Sequence, residues 1–280
     1  MLGVIAGDII GSSYEGTNKA KEDFPLFEGD SRFTDDTVLS VATADALLNG
    51  GDYIEAYQEY YNRYPNCGYG GSFTEMAKVN NLKPYDSYGN GSAMRVGPIG
   101  WAFETIEETL VEAQISAEVT HNHPEGVKGA KAVAMAMFYA RNTQDKDLII
   151  KNVSDLGYDL SKSIEDFEID KFDVSCQGTI PLCMAVFNDT DSFEEAIRLA
   201  VRMGGDADTN AAIVGGIAEA YYGSVPVGIQ KGIFERIPEE MANIVVPFVK
   251  EFVDSDYKKP LVRIRDDVTK EESLGSLFGL

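Results

Sequence analysis

Zinc-binding and disulfide-forming residues are scarce in this chain. Its 280 residues include three Cys and two His, and Cys67, Cys176 and Cys183 form no C-x-x-C pair. The spacing excludes the common zinc motifs, and an odd, sparse cysteine count is typical of a reducing compartment.

Positive charge is also in short supply. The chain has 24 Lys and Arg against 46 Asp and Glu, which gives a formal net charge of −22. Because nucleic-acid backbones bind basic surfaces, this balance argues against a nucleic-acid partner. The negative net charge still allows binding of an anionic small ligand, provided that bound cations or helix N-termini contact its phosphates.

Long apolar runs are absent too. No stretch reaches the roughly 18 uncharged apolar residues of a membrane span. The run Met1–Ile10 is apolar, but it has no basic start and Asp8 interrupts it, so it does not match a secretory signal. We therefore expect a cytoplasmic protein without a membrane partner.

Helical periodicity is what the sequence contains in abundance. Apolar residues recur at the i, i+3, i+4 spacing over 34–49 and over 208–222, and glycines end both segments. The same spacing predicts further helices at 52–64, 92–103, 106–119, 125–141, 175–187, 191–203 and 238–254. Strand-like alternation is confined to Leu261–Arg265, so we predict an all-α fold.

The chain shows no linker rich in Pro, Gly or Ser. We predict one domain over 1–254 and a polar C-terminal appendage over 255–280 with a short strand. The charged stretch 144–173 is interpreted as a surface excursion with helical pieces. A glycine at every fourth position from 3 to 11 predicts a smooth helix face, against which another helix packs closely.

The most informative feature is an acidic cluster at 204–210, Gly-Gly-Asp-Ala-Asp-Thr-Asn. Since each helical residue turns about 100°, Asp206 and Asp208 would face opposite sides of a continuous helix. The preceding glycines favour a loop entering a helix, so that both carboxylates converge at its first turn. An N-cap role for Asp208 or Thr209 is the simpler interpretation, and the missing Gly and Glu positions exclude an EF-hand.

A second cluster, Phe-Thr-Asp-Asp-Thr at 33–37, begins the other strongly periodic helix. Thr34 as an N-cap followed by an acidic first turn explains it equally well. Alternatively, Asp35 and Asp36 each bind a different ion of a binuclear Mg²⁺ or Mn²⁺ site. Neither cluster contains Lys or Arg, so the two can lie close together only with cations between them.

Two glycine-rich segments, 68–72 and 88–95, precede further helical patterns. Such loops present backbone amides to an anionic ligand, or they serve as ordinary turns between helices. His121 fits a core or capping role as well as a ligand contact. The sequence around Glu15 does not by itself indicate a functional role, because an isolated Glu is usually a solvated surface residue.

Taken together and in this order, the motifs make the chain resemble the ADP-ribosylglycohydrolase family, the group of dinitrogenase-reductase-activating glycohydrolases and ADP-ribosylhydrolases. The resemblance runs from Gly3 to near Pro247. Its carriers are Gly-Asp-Ile-Ile-Gly-Ser-Ser-Tyr-Glu-Gly at 7–16, Phe-Thr-Asp-Asp-Thr at 33–37, the loop at 68–72, Tyr-Gly-Asn-Gly-Ser-Ala-Met-Arg-Val at 88–96, Thr-His-Asn-His-Pro at 120–124 and Gly-Gly-Asp-Ala-Asp-Thr-Asn-Ala-Ala at 204–212. Ala207 stands where many members have Thr, and its side chain need not coordinate. Segments 16–33 and 144–173 carry no match, so we expect them to select the rest of the substrate.

The resemblance implies a compact orthogonal multi-helix bundle with a binuclear metal cleft that holds two Mg²⁺ or Mn²⁺ ions. The implied metal ligands are Thr34, Asp35, Asp36, Asp206, Asp208 and Thr209. The implied catalytic residues are Glu15, Asp35 and Asp208, with Glu15 on a loop that gates the cleft. The implied substrate-binding residues are Gly89, Asn90, Gly91 and Ser92 around the diphosphate and distal ribose, and His121 in the ADP-ribose site.

The activity implied by the resemblance is hydrolysis of the N- or O-glycosidic bond between ADP-ribose and a protein side chain or small acceptor, with release of ADP-ribose. The partner is then an ADP-ribosylated protein or an ADP-ribose conjugate. Two alternative functions would use the same residues. A two-metal phosphoester hydrolase would release AMP or phosphate, and a non-catalytic relative would bind ADP-ribose without cleaving it.

Overall fold

The computed structural model describes residues 1–16, 20 and 22–253. Within that part the regular structure is helical, and two isolated β-bridges, Gly16–Gly205 and Gly89–Ser175, take the place of strands. The all-α prediction is confirmed. The predicted appendage at 255–280 and its short strand lie outside the described residues.

The helices are joined by connections of unequal length. They are α1 Leu2–Gly11, α2 Asp35–Asn49, α3 Tyr53–Arg63, α4 Gly71–Ala77, α5 Gly91–Met94, α6 Ile99–Ala102, α7 Ile106–Glu118, α8 Pro124–Thr143, α9 Lys146–Asp155, α10 Cys176–Asn188, α11 Phe193–Met203, α12 Ala207–Tyr222, α13 Val227–Phe234 and α14 Glu239–Phe252, with a 3₁₀ turn at Ile164–Asp166. The continuous helix predicted over 92–103 is wrong. It is divided into α5 and α6, and Pro98, which has no backbone N–H to continue a helix, is the N-cap of α6.

The contact between α1 and α12 is the centre of the fold. A Cβ atom built on Gly3 would lie 2.1 Å from the carbonyl oxygen of Gly215, and one on Gly11 would lie 2.6 Å from that of Ala207. Only glycine permits so close an approach, so the predicted smooth face is confirmed. Because residue numbers rise on α1 as they fall on α12, the two helices are antiparallel. The end of α1 therefore meets the start of α12.

Both central helices are enclosed by the others. Every residue of α1 is buried, as is α12 from Ala207 to Ala220, which is the pattern of a helix that is apolar on all sides. Among their few buried polar residues, Glu219 accepts hydrogen bonds from the backbone N–H groups of Leu2 at 3.1 Å and Gly3 at 2.7 Å, and so satisfies the start of α1. Among the described helices none is long and apolar enough to cross a membrane.

The N-cap residues of α2 and α12 differ from those of several other helices. The N-cap side chains Asp52, Thr105, Asp145, Ser175 and Ser192 accept hydrogen bonds from their own helices. Thr34 on α2 and Asp206 on α12 make no such bond, although both have suitable side chains. Their polar groups turn toward a shared site at the start of these two helices.

Candidate metal centre and ligand cleft

Asp8 connects α1 to the start of α2. Its carboxylate accepts hydrogen bonds from the backbone N–H of Thr34 at 2.9 Å and of Thr37 at 3.0 Å, and from the Thr34 hydroxyl at 2.6 Å. Burial raises the pKa of Asp8 to about 6, against the opposing effect of these bonds. Sequence reasoning missed this residue as part of the site, although a single charge inside an apolar helix was the signal.

The first turn of α2 faces Asp8 and α12. The hydroxyls of Thr34 and Thr209 each lie 3.2 Å from Asp36 Oδ2, one on α2 and one on α12. Asp36 Oδ1 is buried without a hydrogen-bond partner in the described part of the chain. Since an unpartnered buried carboxylate oxygen is costly, this atom suits a bound cation.

The turn before α12 requires its two glycines. Gly204 and Gly205 have φ values of 71° and 65°, in the left-handed region that side chains disfavour. A Cβ atom on either would also lie 2.1 Å from an oxygen of the preceding segment, Asp170 Oδ1 or the Lys171 carbonyl. This turn places Asp206 at the N-cap of α12, where its side chain makes no capping bond and lines the cleft instead.

Two groups of carboxylates share Asp208. Asp8, Asp36 and Asp208 offer oxygens within 4.8 Å of one another, and so do Glu15, Asp206 and Asp208. The antiparallel contact of α1 and α12 explains the second group, because Glu15 follows α1 and the two Asp residues begin α12. One carboxylate between two such groups is a pattern suited to a pair of hard cations.

Asp35 belongs to neither group of three. It is half-buried and lines the adjoining cleft, and its backbone N–H donates to the Cys67 carbonyl at 2.7 Å. This bond ties the start of α2 to the glycine-rich loop at 68–72. The negative charges of Asp8 and Asp206 repel that of Asp35, and its side chain lines the cleft.

In the described part of the chain, the aspartates of this cluster have no basic side chain as an ion-pair partner. Burial and then the neighbouring carboxylates raise the pKa values of Asp35, Asp36 and Asp208 well above the usual range, and burial also raises that of Asp206. Throughout the described residues, no salt bridge includes any of the four. Oxygen donors with excess negative charge fit Mg²⁺ or Mn²⁺.

A cleft of about 440 Å³ adjoins the carboxylates. Its lining includes the acidic side chains, both glycine-rich loops and one side of the segment before α10. The residues are Glu15, Asp35, Leu39, Gly68, Gly70, Gly71, Ser72, Phe73, Tyr85, Ser87, Gly89, Asn90, Gly91, Met94, Arg95, His121, Phe172, Val174, Asp206, Asp208 and Thr209. The structure therefore brings the predicted acidic and loop residues to the lining of one cavity, except for three that are buried beneath that lining.

Those three are Thr34, Asp36 and Ser92, which are buried next to the cleft without lining it. The hydroxyl of Ser92 donates to the Gly126 carbonyl at 2.7 Å. This bond fixes the start of α5 against α8, so Ser92 supports the loop from behind.

Asn90 connects the loop at 88–92 to the carboxylates. Its side-chain Nδ2 donates to Asp206 Oδ2 at 2.6 Å and to Thr179 Oγ1 at 3.0 Å. Its backbone N–H donates to the Val174 carbonyl at 2.7 Å. The loop, the start of α12 and α10 are consequently held together by one side chain.

His121 is buried against the other end of this loop. Its Nε2 lies 3.0 Å from the position that a Cβ atom on Gly91 would take, and its Nδ1 lies 2.8 Å from Thr120 Oγ1. Burial and the nearby Arg95 charge lower the pKa of His121 well below its usual range. His121 is therefore neutral at physiological pH.

The segment before α10 adds an apolar wall. Phe172 and Val174 line the cleft and stay 54% and 50% exposed. Together they give the acidic cleft an apolar surface that a ligand can contact. Phe172 comes from the stretch 144–173, where the sequence showed no family motif.

The fold and the site define an all-α protein with an acidic ligand cleft. The family model described as ADP-ribosylglycohydrolase matches residues 1–254, and the chain belongs to that family. It is 25% identical to the human ADP-ribosylhydrolase ARH3 over 308 aligned residues, which covers 80% of this chain and 84% of the human protein.

A second relative and a solved structure agree with this membership. The ADP-ribosylarginine hydrolase Tri1 of Pseudomonas putida (strain GB-1) is 25% identical over 260 residues, covering 80% of this chain and 69% of Tri1. A chain of the structure titled "ADP-ribosylglycohydrolase-related protein complex" superposes with a TM-score of 0.70 at 25% identity, covering 89% of this chain and 95% of that chain.

Proposed function

We propose that the protein is a metal-dependent hydrolase that cleaves the glycosidic bond of ADP-ribose attached to a protein side chain or small acceptor, releasing ADP-ribose. The observation that carries the proposal is the pair of carboxylate groups sharing Asp208 beside a nucleotide-sized cleft. Family membership and the names of the relatives supply the reaction class.

The residues present fit two divalent cations. Thr34, Asp35, Asp36, Asp206, Asp208 and Thr209 would hold two Mg²⁺ or Mn²⁺ ions, with Asp36 Oδ1 as a buried oxygen that lacks another partner. Such ions supply positive charge to the hydroxyls of the distal ribose and to the attacking water.

The protein's own groups bind the nucleotide and manage the proton. The loop Gly89–Gly91 lines the cleft and would lie against the diphosphate and distal ribose, and His121 flanks it. Glycoside hydrolysis develops positive charge at the anomeric carbon, which nearby carboxylates stabilise. Glu15 or Asp208 accepts the proton of the attacking water, since both lie in the carboxylate group that reaches the cleft.

We assign recognition of the acceptor side of the substrate to residues at the rim of the cleft. Tri1 is named for the arginine linkage, and the name of ARH3 specifies no acceptor. We therefore assign the choice among arginine, serine, acetate and polymer linkages to rim residues such as Phe172, which comes from a stretch without a family motif.

A product assay tests the proposal directly. Arginine-linked, serine-linked, acetate-linked and polymeric ADP-ribose are incubated with enzyme and Mg²⁺, and products are identified by mass spectrometry. We expect intact ADP-ribose from at least one substrate, loss of release with EDTA, and at least a hundredfold slower release by Asp206→Asn, about 3 kcal/mol of transition-state free energy. Glu251→Gln, an exposed charge change on α14, serves as the control.

Other outcomes would redirect the assignment. AMP or phosphate as the product would indicate a two-metal phosphoester hydrolase instead. No release from any substrate, with Mg²⁺ binding shown by calorimetry, would identify a non-catalytic ADP-ribose-binding protein.

A further inference from the structure

Three buried side chains form a hydrogen-bonded series behind the cleft. Arg95 Nη2 lies 2.7 Å from Thr120 Oγ1, and Thr120 Oγ1 lies 2.8 Å from His121 Nδ1. Arg95 is held in place by a bond from the same Nη2 to the Ser116 carbonyl at 2.9 Å and by stacking 4.2 Å from the centre of the Tyr57 ring. Arg95 and Thr120 are fully buried, so water does not compete for these atoms.

The direction of each hydrogen bond in this series follows from donor chemistry and from the cost of leaving a buried hydroxyl proton without an acceptor. A guanidinium can only donate, so Thr120 Oγ1 must accept from Arg95. The oxygen has a second lone pair that could accept from an Nδ1–H, but the buried hydroxyl proton would then have no acceptor among the described contacts of Thr120 Oγ1, which is costly. The Thr120 hydroxyl therefore donates to Nδ1, which must be unprotonated to accept.

The proton of the neutral imidazole is consequently on Nε2. This nitrogen faces the ligand loop, 3.0 Å and 3.6 Å from where Cβ atoms on Gly91 and Gly89 would lie. A lone pair at that place would repel an ionised phosphate oxygen, which can only accept, whereas an N–H attracts it. Absence of side chains at both glycines leaves this N–H open to the cleft.

We infer that Arg95 and Thr120 act as positioning residues that lock His121 in its Nε2–H form, so that His121 donates a neutral hydrogen bond to an oxygen of the nucleotide diphosphate moiety. The ligand half of this inference rests on the proposed function. The tautomer half rests on buried protein groups alone, so the two can be tested separately.

Nitrogen NMR tests the tautomer without any ligand. The chain has two His, so protein labelled with ¹⁵N-histidine gives two imidazoles, and His123→Gln assigns them. We expect His121 to be protonated at Nε2 in the parent and in Thr120→Ser. Thr120→Val, which lacks the hydroxyl, should show a mixture or the Nδ1–H form. A parent protein with Nδ1–H overturns the inference whatever the variants do.

Calorimetry tests the ligand half, with ADP-ribose and Mg²⁺ as the probe. We expect Thr120→Val to weaken ADP-ribose binding about fivefold to tenfold, as the loss of one neutral hydrogen bond predicts, and Thr120→Ser to bind within about twofold of the parent. Val and Ser variants that bind equally well would overturn the donor role. If the parent protein has its His121 proton on Nε2 but binds no ADP-ribose, the proposed function is overturned instead.

Discussion

At the scale of single residues, Asp8 shows how a buried charge organises the site. Its carboxylate satisfies two backbone N–H groups at the start of α2 and the Thr34 hydroxyl. It also belongs to the buried carboxylate group with Asp36 and Asp208. Asp8 thus sets the orientation of the first turn of α2 and adds negative charge to the site.

We predict that Asp8→Asn weakens Mg²⁺ binding at least tenfold, which corresponds to about 1.4 kcal/mol. The amide removes a negative charge, and its NH₂ group would oppose one of the donors that the carboxylate accepts. Calorimetric titration of EDTA-treated protein measures the effect. Asp23→Asn, an exposed position with the same charge change, should leave the affinity unchanged. Equal Mg²⁺ affinity in all three proteins would remove Asp8 from the site.

Thr179 acts on Asp206 through Asn90. Its hydroxyl is buried and accepts one of the two hydrogen bonds from Asn90 Nδ2, while the other goes to Asp206. Without that acceptor the amide of Asn90 loses one of the two contacts that fix its orientation.

We predict that Thr179→Val lowers kcat/KM about tenfold and that Thr179→Ser restores it, because a hydrogen bond to a neutral partner contributes about 1 kcal/mol. Steady-state kinetics with the best substrate of the panel measure both. Thr190→Val is the matched control, since Thr190 is equally buried and its hydroxyl donates to the carbonyls of Val186 and Phe187 near the end of α10. A loss of the same size in that control would show a general cost of removing a buried hydroxyl.

At the scale of helices, the glycine face of α1 determines where the ligands meet. A Cβ atom on Gly7 would lie 1.9 Å from the Ala211 carbonyl oxygen, so any side chain there separates α1 from α12. Displacement of α12 also moves Asp206 and Asp208 away from Glu15, which follows α1.

We predict that Gly7→Ala lowers the free energy of unfolding by about 3 kcal/mol, the upper end of the usual cost of overpacking, and also weakens Mg²⁺ binding. Urea denaturation with and without Mg²⁺ measures the two effects. Gly228→Ala on α13 is the control, because nothing lies within 4 Å of its Cβ position; stability should stay equal or increase by up to about 1 kcal/mol. A stable Gly7→Ala protein would show that α1 and α12 can separate freely.

At the scale of the whole molecule, the acidic site makes stability depend on pH and on metal. Burial raises the pKa of Asp8 to about 6, and burial with neighbouring carboxylates raises the pKa values of Asp36 and Asp208 well above their usual range. A carboxyl group whose pKa is raised on folding stabilises the native state below its unfolded pKa, and that stabilisation is lost as pH rises through the folded pKa. The metal-free site therefore becomes more destabilising toward neutral pH.

We predict that the increase in Tm caused by saturating Mg²⁺ grows as pH rises from about 5 to about 7.5, because fewer protons then compete for the carboxylates. Thermal unfolding over this range, with Mg²⁺ or EDTA, measures the difference. The control Glu251→Gln should follow the parent. A Mg²⁺ increment that is the same at every pH would show that these carboxylates are not the binding groups.

Much of the fold was predictable because helical periodicity is local. The segments 34–49 and 208–222 emerged as α2 and α12, and the glycines of α1 pack as their spacing indicated. The helix-breaking effect of Pro98 was underestimated, so the structure has two helices where the sequence predicted one. The convergence of Asp206 and Asp208 was also predictable, since the preceding Gly-Gly turn is a local signal.

The sequence by itself determined an all-α chain with two acidic helix starts and the motifs of one family. Only the tertiary structure decided that Asp8 joins the site, that Asp208 is shared by two carboxylate groups, and that Phe172 lines the cleft. The reason is physical: periodicity and capping depend on neighbouring residues, whereas these contacts depend on the antiparallel packing of α1 against α12 and on burial that only the assembled helices create.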